Sequence, residues 1–282
     1  MCPLTLLRLA GLVGLLSASM SLAQVLESAR PELREARVAG NLYVFVVNPL
    51  YAPVTFRLEV QSSGLRLNRE PEFTQTFPPR SLTLAFWAEP TGPDWSYHYR
   101  WRYVMGDIQA VPADTTYELP FAPGQAFKIN QGYDGRFSHT GAFAYSLDFD
   151  LPEGTPVYAA REGIVVAVQV SYQAGRADRS LTDKANCITV LHPDGTFAQY
   201  AHLRYGGSLV ELGQQVERGQ MIGYSGNTGF TSGPHLHFHV YRVLNANGDW
   251  ETLPTRFATS EGTLRLVEGQ VYTRLQMPNA QR

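Results

Sequence analysis

Short runs in which apolar and polar residues alternate, separated by turn-forming residues, are the feature that most limits the fold of this chain. Residues 54–60 alternate almost perfectly, which is the two-residue period of a strand with one buried face. Similar runs occupy residues 41–47, 82–87 and 97–103, with prolines in the gaps between them. Helical periodicity is nearly absent. The pattern predicts an all-β chain in which about residues 24–115 form a small β-sandwich, immunoglobulin-like in architecture.

After a seam at residues 111–114, the chain is richer in glycine and in hairpin signals. The runs typical of strands here are residues 157–160, 163–172, 187–192, 196–202, 221–226 and 235–242. His192-Pro193-Asp194-Gly195 is predicted to be a tight turn, because proline presets φ and glycine tolerates positive φ. The polar residues 173–184 are expected to form a loop between two strands. We therefore predict a second β domain at about residues 116–245, followed by a tail at 246–282 that holds a strand or two.

The composition is that of an ordinary globular protein, with 44% hydrophobic and 17% charged residues. The 23 basic and 25 acidic residues give a formal net charge of −2, and no run of Lys or Arg occurs. Such a chain has no basic field to attract a nucleic acid, so DNA and RNA partners are not expected.

Residues 1–23 resemble a secretory signal peptide. Arg8 supplies a positive charge, residues 4–16 are mostly apolar, and Ser21-Leu22-Ala23 fits the small-x-small cleavage rule. Cleavage after Ala23 would place the mature chain outside the cytoplasm, secreted or periplasmic. An uncleaved membrane anchor is the alternative, but the apolar run is short for a span and no second hydrophobic stretch follows.

Cys187 would be the only cysteine of the mature chain, because Cys2 leaves with the signal. No internal disulfide is therefore expected. Cys187 lies in residues 186–190, a run typical of a buried strand, so we interpret it as a small core residue rather than a nucleophile.

An aromatic stripe marks the last predicted strand of the first domain. Its members alternate along the chain: Trp95, Tyr97, Tyr99, Trp101 and Tyr103. Such a stripe could stack on sugar rings, but it is more often core or cross-strand packing, and we favour packing.

His235 and His237 are the residues that indicate chemistry. Residues two apart on a strand point to the same face, so both imidazoles can reach one site while Leu236 and Phe238 face a core. Together with a distant carboxylate and further histidines they suit a catalytic zinc site, which takes three protein ligands and leaves one position open. The candidates are His139, Asp148, His202, His235 and His237. The helical signature His-Glu-x-x-His and zinc-finger cysteine pairs are both absent.

The pattern gives the remaining histidines and the glycine-rich run less specific interpretations. His239 shares the face of His237, and parity alone does not exclude it as a ligand. His192 lies in a turn and His98 in the first domain, so neither is expected to bind a metal. The glycine-rich residues 219–229 lack the spacing of a phosphate-binding loop and are predicted to be a tight loop that leads to His235.

Four motifs, in this order and spacing, resemble the lysostaphin-type zinc endopeptidases, which cut peptide cross-links in bacterial cell walls. They are DFDLPEGTPVYAA at 148–160 with GIV at 163–165, YAHL at 200–203, GQMIGYSGNTG at 219–229 and SGPHLHF at 232–238. The similarity covers residues 125–242, a little under half of the chain. It implies an antiparallel β catalytic domain of the lysostaphin type, with the duplicated hybrid motif fold, and one Zn²⁺ per chain.

The resemblance also implies a role for each candidate. Zinc binding falls to Asp148 and His237, and His202 and His235 become catalytic histidines that do not bind the metal. The commonest pattern places a third ligand four residues before the aspartate, where this chain has Ala144. His139, nine residues before Asp148, is identified as that ligand in a longer-loop variant of the motif.

The implied reaction is hydrolysis of peptidoglycan cross-link peptides by a zinc-activated water. His235 is the favoured base, with His202 aiding proton transfer or stabilising the oxyanion. The family accommodates Gly or D-Ala at the cut, and both stay open here. So do the oligomeric state and whether the first domain inhibits the enzyme or binds the wall. The alternative function is a catalytically silent member that binds the wall or activates other hydrolases.

Overall fold

The computed structural model describes Leu26 and residues 28–276, so the predicted signal peptide lies outside the described residues. The chain divides into two compact units. The first comprises the described part of Met1–Ile108 with Asn245–Asp249, and the second comprises Gln109–Leu244 with the described residues from Trp250 onward. Regular structure in both units is almost entirely β-strand, which confirms the all-β prediction. Within the described part, no helix is long and apolar enough to span a membrane.

The first unit, as far as the structure describes it, contains two antiparallel sheets. Its strands are β1 (Glu32–Val38), β2 (Asn41–Asn48), β3 (Val54–Ser63), β4 (Leu65–Leu67), β5 (Glu72–Phe77), β6 (Ser81–Pro90) and β7 (Ser96–Met105). One sheet has the order β1-β2-β6-β4 and the other β5-β3-β7. Both sheets contribute to one buried cluster, in which Phe56 and Phe77 come from one sheet and Val44 and Phe86 from the other. Two sheets around one core form a sandwich; its immunoglobulin-like character stays a prediction.

In β3, the alternation of apolar and polar residues matches an alternation of buried and more exposed side chains. Val54, Phe56 and Leu58 are buried, whereas Arg57 and Glu59 between and beyond them are partly exposed. On the neighbouring β7, Tyr97 and Tyr99 pack against the same core, and their hydroxyls donate hydrogen bonds to Glu35. Tyr103 also packs against this core, while 39% of Trp101 remains exposed. The packing interpretation therefore holds for the three tyrosines.

In its described residues, the second unit contains seventeen strands in chain order. They are β8 (Thr116–Glu118), β9 (Ala126–Gln131), β10 (Leu147–Phe149), β11 (Pro156–Tyr158), β12 (Gly163–Gln169), β13 (Gly175–Arg176), β14 (Cys187–Leu191), β15 (Phe197–Ala201), β16 (Leu203–Ser208), β17 (Gln215–Val216), β18 (Met221–Ser225), β19 (Gly229–Phe230), β20 (Leu236–Val243), β21 (Trp250–Leu253), β22 (Arg256–Thr259), β23 (Gly262–Leu264) and β24 (Val271–Thr273). Two short 3-10 helices occupy Gly141–Phe143 and Arg179–Leu181.

A nine-stranded antiparallel sheet forms the body of this unit. Its order is β17-β12-β14-β15-β20-β10-β9-β24, and β21 also pairs with β20. Smaller sheets, β11-β18-β16 and β23-β22-β8, complete the unit with the two-residue pair β13-β19. The predicted tail thus supplies β21 to β24, which pair with strands of this same unit.

Local features of the second unit follow from its sequence. Gly195 has φ of 81° and closes the turn after His192, whose N–H donates to Thr196 O at 2.8 Å. The loop at 173–184 joins β12 to β14, and it also holds β13 and a 3-10 helix that its polar composition does not predict. Cys187 begins β14 as a free thiol, and burial raises its pKa to about 11. A thiol with so high a pKa is a poor nucleophile at neutral pH.

Candidate metal centre

Two neighbouring strands hold Asp148 and His237 side by side. Asp148 of β10 is the direct cross-strand partner of His237 in β20, and on its other side it pairs with Gln131 of β9. Leu236 and Phe238, which flank His237, are buried in the apolar core. Because side chains alternate along a strand, the carboxylate and the imidazole project together from the opposite face.

His139 reaches the same place from the loop between β9 and β10. Its ring is fully buried, and Nδ1 donates to the carbonyl oxygen of Gly132 at 2.8 Å. The lone pair on Nε2 therefore faces Asp148 Oδ1, 3.2 Å away. Two acceptors face each other favourably only with a proton or a metal ion between them.

The donor set of this cluster fits a metal ion. Ligand atoms of His139, Asp148 and His237 all lie within 4.8 Å of one another. His237 presents Nδ1 to Asp148 Oδ1 at 2.9 Å, and its Nε2 lies 3.0 Å from Nδ1 of His239. Two imidazoles and one carboxylate suit zinc and similar metals, and outer hydrogen bonds that fix each imidazole are a regular feature of such sites.

The electrostatics favour the protonation states that a metal requires. Burial raises the pKa of Asp148, but the close imidazoles of His139 and His237 lower it by more, so the net pKa lies below the ordinary value. Burial lowers the pKa of His237, against the opposing effect of Asp148. The carboxylate is therefore charged and His237 neutral at pH 7, which are the forms that bind metal ions.

His202 and His235 lie beside the cluster. Their ring centroids are 4.5 Å apart, and His235 Nε2 is 3.7 Å from Asp148 Oδ1. His235 Nδ1 donates to Gly233 O at 2.9 Å, and His202 Nδ1 donates to Thr228 O at 2.6 Å. Each ring therefore keeps a free lone pair on Nε2. Burial, followed by the neighbouring His235 and His237, lowers the pKa of His202 to about 3.

A hydrogen-bond network that the sequence does not reveal supports His202. The residue has φ of 62°, a left-handed conformation that costs a non-glycine residue of the order of 1 kcal/mol. Thr228 Oγ1 accepts from Asn186 N–H at 3.0 Å and donates to Leu203 O at 2.8 Å. The Asn186 side chain also donates to Leu203 O at 3.2 Å. In the sequence, only the presence of Asn186 before Cys187 and of Thr228 in the glycine-rich run could have indicated this network.

All five residues predicted for the site are therefore brought together, and the other histidines lie outside the cluster. His239 contacts His237 rather than the candidate ligand atoms, and its ring lies nearly parallel to Trp250 at 5.8 Å. Burial lowers its pKa well below the usual range. His192 packs against Tyr117, and His98 lies on β7 of the first unit.

Exposed aromatic side chains in the His139 loop were also missed by sequence reasoning. Phe137 is 63% exposed, and Phe143 and Tyr145 are each 39% exposed. The ring of Phe137 stacks on Phe230 at 5.7 Å with an interplanar angle of 7°. Phe143 packs edge-on against His237, with centroids 6.0 Å apart.

Comparisons with known proteins find sequence similarity in the part of the chain that holds most of the cluster. Residues 142–249 match the family described as Peptidase family M23, so the match includes Asp148, His202, His235 and His237 but begins after His139. The peptidoglycan DD-endopeptidase ShyA of Vibrio cholerae is 41% identical over 127 residues, which cover 43% of this chain and 27% of that protein. Lysostaphin of Staphylococcus simulans is 37% identical over 108 residues, covering 38% of this chain and 19% of that protein.

Other similarities have the same extent. The glycyl-glycine endopeptidase ALE-1 of Staphylococcus capitis is 39% identical over 108 residues, covering 38% of this chain and 26% of that protein. The chain spans about a quarter of the length of the curated relatives it matches. The solved catalytic domain of lysostaphin from Staphylococcus simulans is 29% identical and covers 41% of this chain and 78% of that structure, with a TM-score of 0.30.

Proposed function

We propose, from the premise that this chain belongs to peptidase family M23 through residues 142–249, that its second unit is a zinc metalloendopeptidase acting on peptidoglycan cross-link peptides. The observation that carries the proposal is the convergence of His139, Asp148 and His237, with His202 and His235 beside them. A catalytically silent member of the family is less favoured, because all five residues are present and clustered.

The proposed ligands are His139 through Nε2, His237 through Nδ1 and the carboxylate of Asp148. One zinc ion bound there would lower the pKa of a water molecule toward neutrality and polarise the scissile carbonyl. The chain contributes a charged Asp148 and rings that are already oriented by Gly132 O and His239. Preorganised ligands require no rearrangement when the substrate binds.

His235 is the proposed general base. Its Nδ1–H is held by Gly233 O, so Nε2 is free to accept the proton of the attacking water. Asp148 Oδ1, at 3.7 Å from Nε2, would stabilise the imidazolium that results. His202 is neutral with its Nε2 unprotonated, which favours a role in proton transfer over donation to an oxyanion.

The proposed substrate class rests on the relatives. ShyA is described as a peptidoglycan DD-endopeptidase and ALE-1 as a glycyl-glycine endopeptidase, so the relatives include both kinds of cross-link. We therefore propose cross-link peptides as the substrate, and an extracytoplasmic, secreted or periplasmic location where such peptides occur.

Digestion of isolated peptidoglycan tests the proposal. The purified protein, with and without a zinc chelator, is incubated with D-Ala-cross-linked and with glycine-bridged peptidoglycan, and the fragments are identified by mass spectrometry. We expect chelator-sensitive loss of cross-linked fragments from one of the two, restored by added zinc. Undiminished cross-linking in both substrates, by a protein that contains zinc, would contradict the proposed substrate class.

A further inference from the structure

The side-chain amide of Gln131 contacts both Asp148 and the loop that carries His139. We propose that Gln131 is a positioning residue, which holds Asp148 and the His139 loop in the geometry that binds the metal. This inference rests on the proposed function. No hydrophobic or charge pattern singles out Gln131 in the sequence, and no motif contains it.

The contacts of Gln131 satisfy its whole side-chain amide. Its Nε2 lies 3.3 Å from Asp148 Oδ2 and 2.8 Å from Ser138 Oγ, and its Oε1 accepts from Phe137 N–H at 3.2 Å. A backbone N–H only donates and a charged carboxylate only accepts, so these partners fix which end of the amide is oxygen. The residue ends β9 and is only 9% exposed.

The two oxygens of Asp148 are thereby divided between two tasks. Oδ1 lies within 3.2 Å of His139 Nε2 and 2.9 Å of His237 Nδ1, on the side where the metal would bind. Oδ2 faces the Gln131 amide instead. A hydrogen bond to the second oxygen fixes the rotation of the carboxylate about its χ2 angle, which is otherwise a soft torsion.

The loop that carries His139 is folded around the same amide. Gly135 approaches it so closely that a Cβ there would overlap Gln131 Cγ and lie 2.9 Å from Cδ. The carbonyl of Gly135 in turn accepts from His139 N–H at 3.0 Å. The loop is therefore packed around the Gln131 side chain. This packing helps to bring His139, nine residues before Asp148 in the sequence, into contact with that carboxylate.

Gln131→Met tests the role, because methionine keeps the length of the side chain and removes both polar groups. The zinc dissociation constant of the full chain is measured by competition with a chromophoric chelator. Loss of an outer hydrogen-bond partner typically weakens metal binding by about 10- to 100-fold, and we expect a change in that range. Gln169→Met is the matched control, since Gln169 also donates to a serine hydroxyl, that of Ser171 at 2.6 Å, and lies outside the cluster. It should leave the constant unchanged.

Gly135→Ala is the second variant: its Cβ would overlap the Gln131 side chain and displace the amide, while every side chain that contacts Asp148 keeps its own chemical groups. It should weaken zinc binding in the same direction, so the inference remains testable if Gln131→Met does not fold. A lower melting temperature of the zinc-free protein with an unchanged zinc constant in these variants would show a merely structural role and overturn the inference alone. A wild-type chain that binds no zinc would contradict the proposed function, and the role of Gln131 with it.

Discussion

The two units are both built from β-strands, but they differ in what they bury. Among the described residues, twenty polar or charged residues are buried, of which only Asn48 and Thr55 lie in the first unit. The core of the first unit is an apolar cluster of the two sheets, whereas the second unit also buries His139, Asp148 and His237. Burying polar groups costs free energy unless they find partners, so the buried His139, Asp148 and His237 depend on one another, on Gly132 O and on His239 for their stability.

The sharpest way to test this contrast is to remove one proposed ligand from the second unit. His237→Ala should abolish both zinc binding and peptidoglycan cleavage, because two ligands remain and Asp148 loses its direct partner. Zinc per chain by elemental analysis and fragment release would be measured together. His98→Ala, on a strand of the first unit, is the control and should keep both. Zinc retained at the wild-type level by His237→Ala would show that the ligand is another residue.

His235→Ala separates catalysis from metal binding within the same unit. Removing a general base typically lowers turnover by about 10²- to 10⁴-fold, and zinc content should be unchanged because His235 is not a proposed ligand. The initial rate of fragment release is compared at equal zinc occupancy. If His235→Ala and His237→Ala lose zinc equally, the assignment of roles to the two histidines is wrong.

An apolar deletion in the first unit should affect stability and leave the chemistry intact. Phe56 is fully buried between the sheets, so Phe56→Ala should lower the free energy of unfolding of that unit by about 3–5 kcal/mol. Urea unfolding can be followed by tryptophan fluorescence, since Trp87, Trp95 and Trp101 lie in this unit. Zinc content of the folded variant should match the wild type. A loss of zinc would mean that the polar cluster of the second unit depends on the apolar core of the first.

A buried histidine away from the cluster gives the second unit a pH-dependent stability. Burial lowers the pKa of His192 from 6.5 to about 4, so the unfolded chain binds a proton in this window that the folded protein does not. The contribution of His192 to the free energy of unfolding is fully present above pH 6.5. It should fall by about 3 kcal/mol as the pH drops to about 4. Unfolding of the zinc-free protein by urea at several pH values measures this slope. His192→Phe should reduce this slope by the contribution of one histidine and leave that of the buried His202, His237 and His239, whereas His98→Phe should not change it. Equal slopes in His192→Phe and the wild type would contradict the assignment.

The sequence predicts the long, regular strands of this molecule better than the short strands and loops that position the candidate site. β3 is identified by an unbroken alternation, and Asp148 and His237 by their motifs. In contrast, β10 has only three residues, which is too short for a periodic signal. His139 is identified by resemblance, because nothing local shows that a loop will bring it back to Asp148.

The residues that orient the site are the ones that sequence reasoning misses. Gln131, Asn186 and Thr228 act through hydrogen bonds to backbone atoms or to residues distant in the chain, and Asn186 and Thr228 are 42 positions apart. Polar side chains of this kind look the same in a sequence whether they are solvated or buried. Only the folded chain shows that their partners are fixed.

The central claim is that His139, although it precedes the part of the chain that matches the family, completes the metal centre. The most direct measurement is zinc per chain, by elemental analysis after dialysis against zinc-free buffer, for the wild type and His139→Ala. We predict one zinc in the wild type and a loss of most of it in the variant, with the fold retained by circular dichroism. A full zinc complement in His139→Ala would contradict the claim.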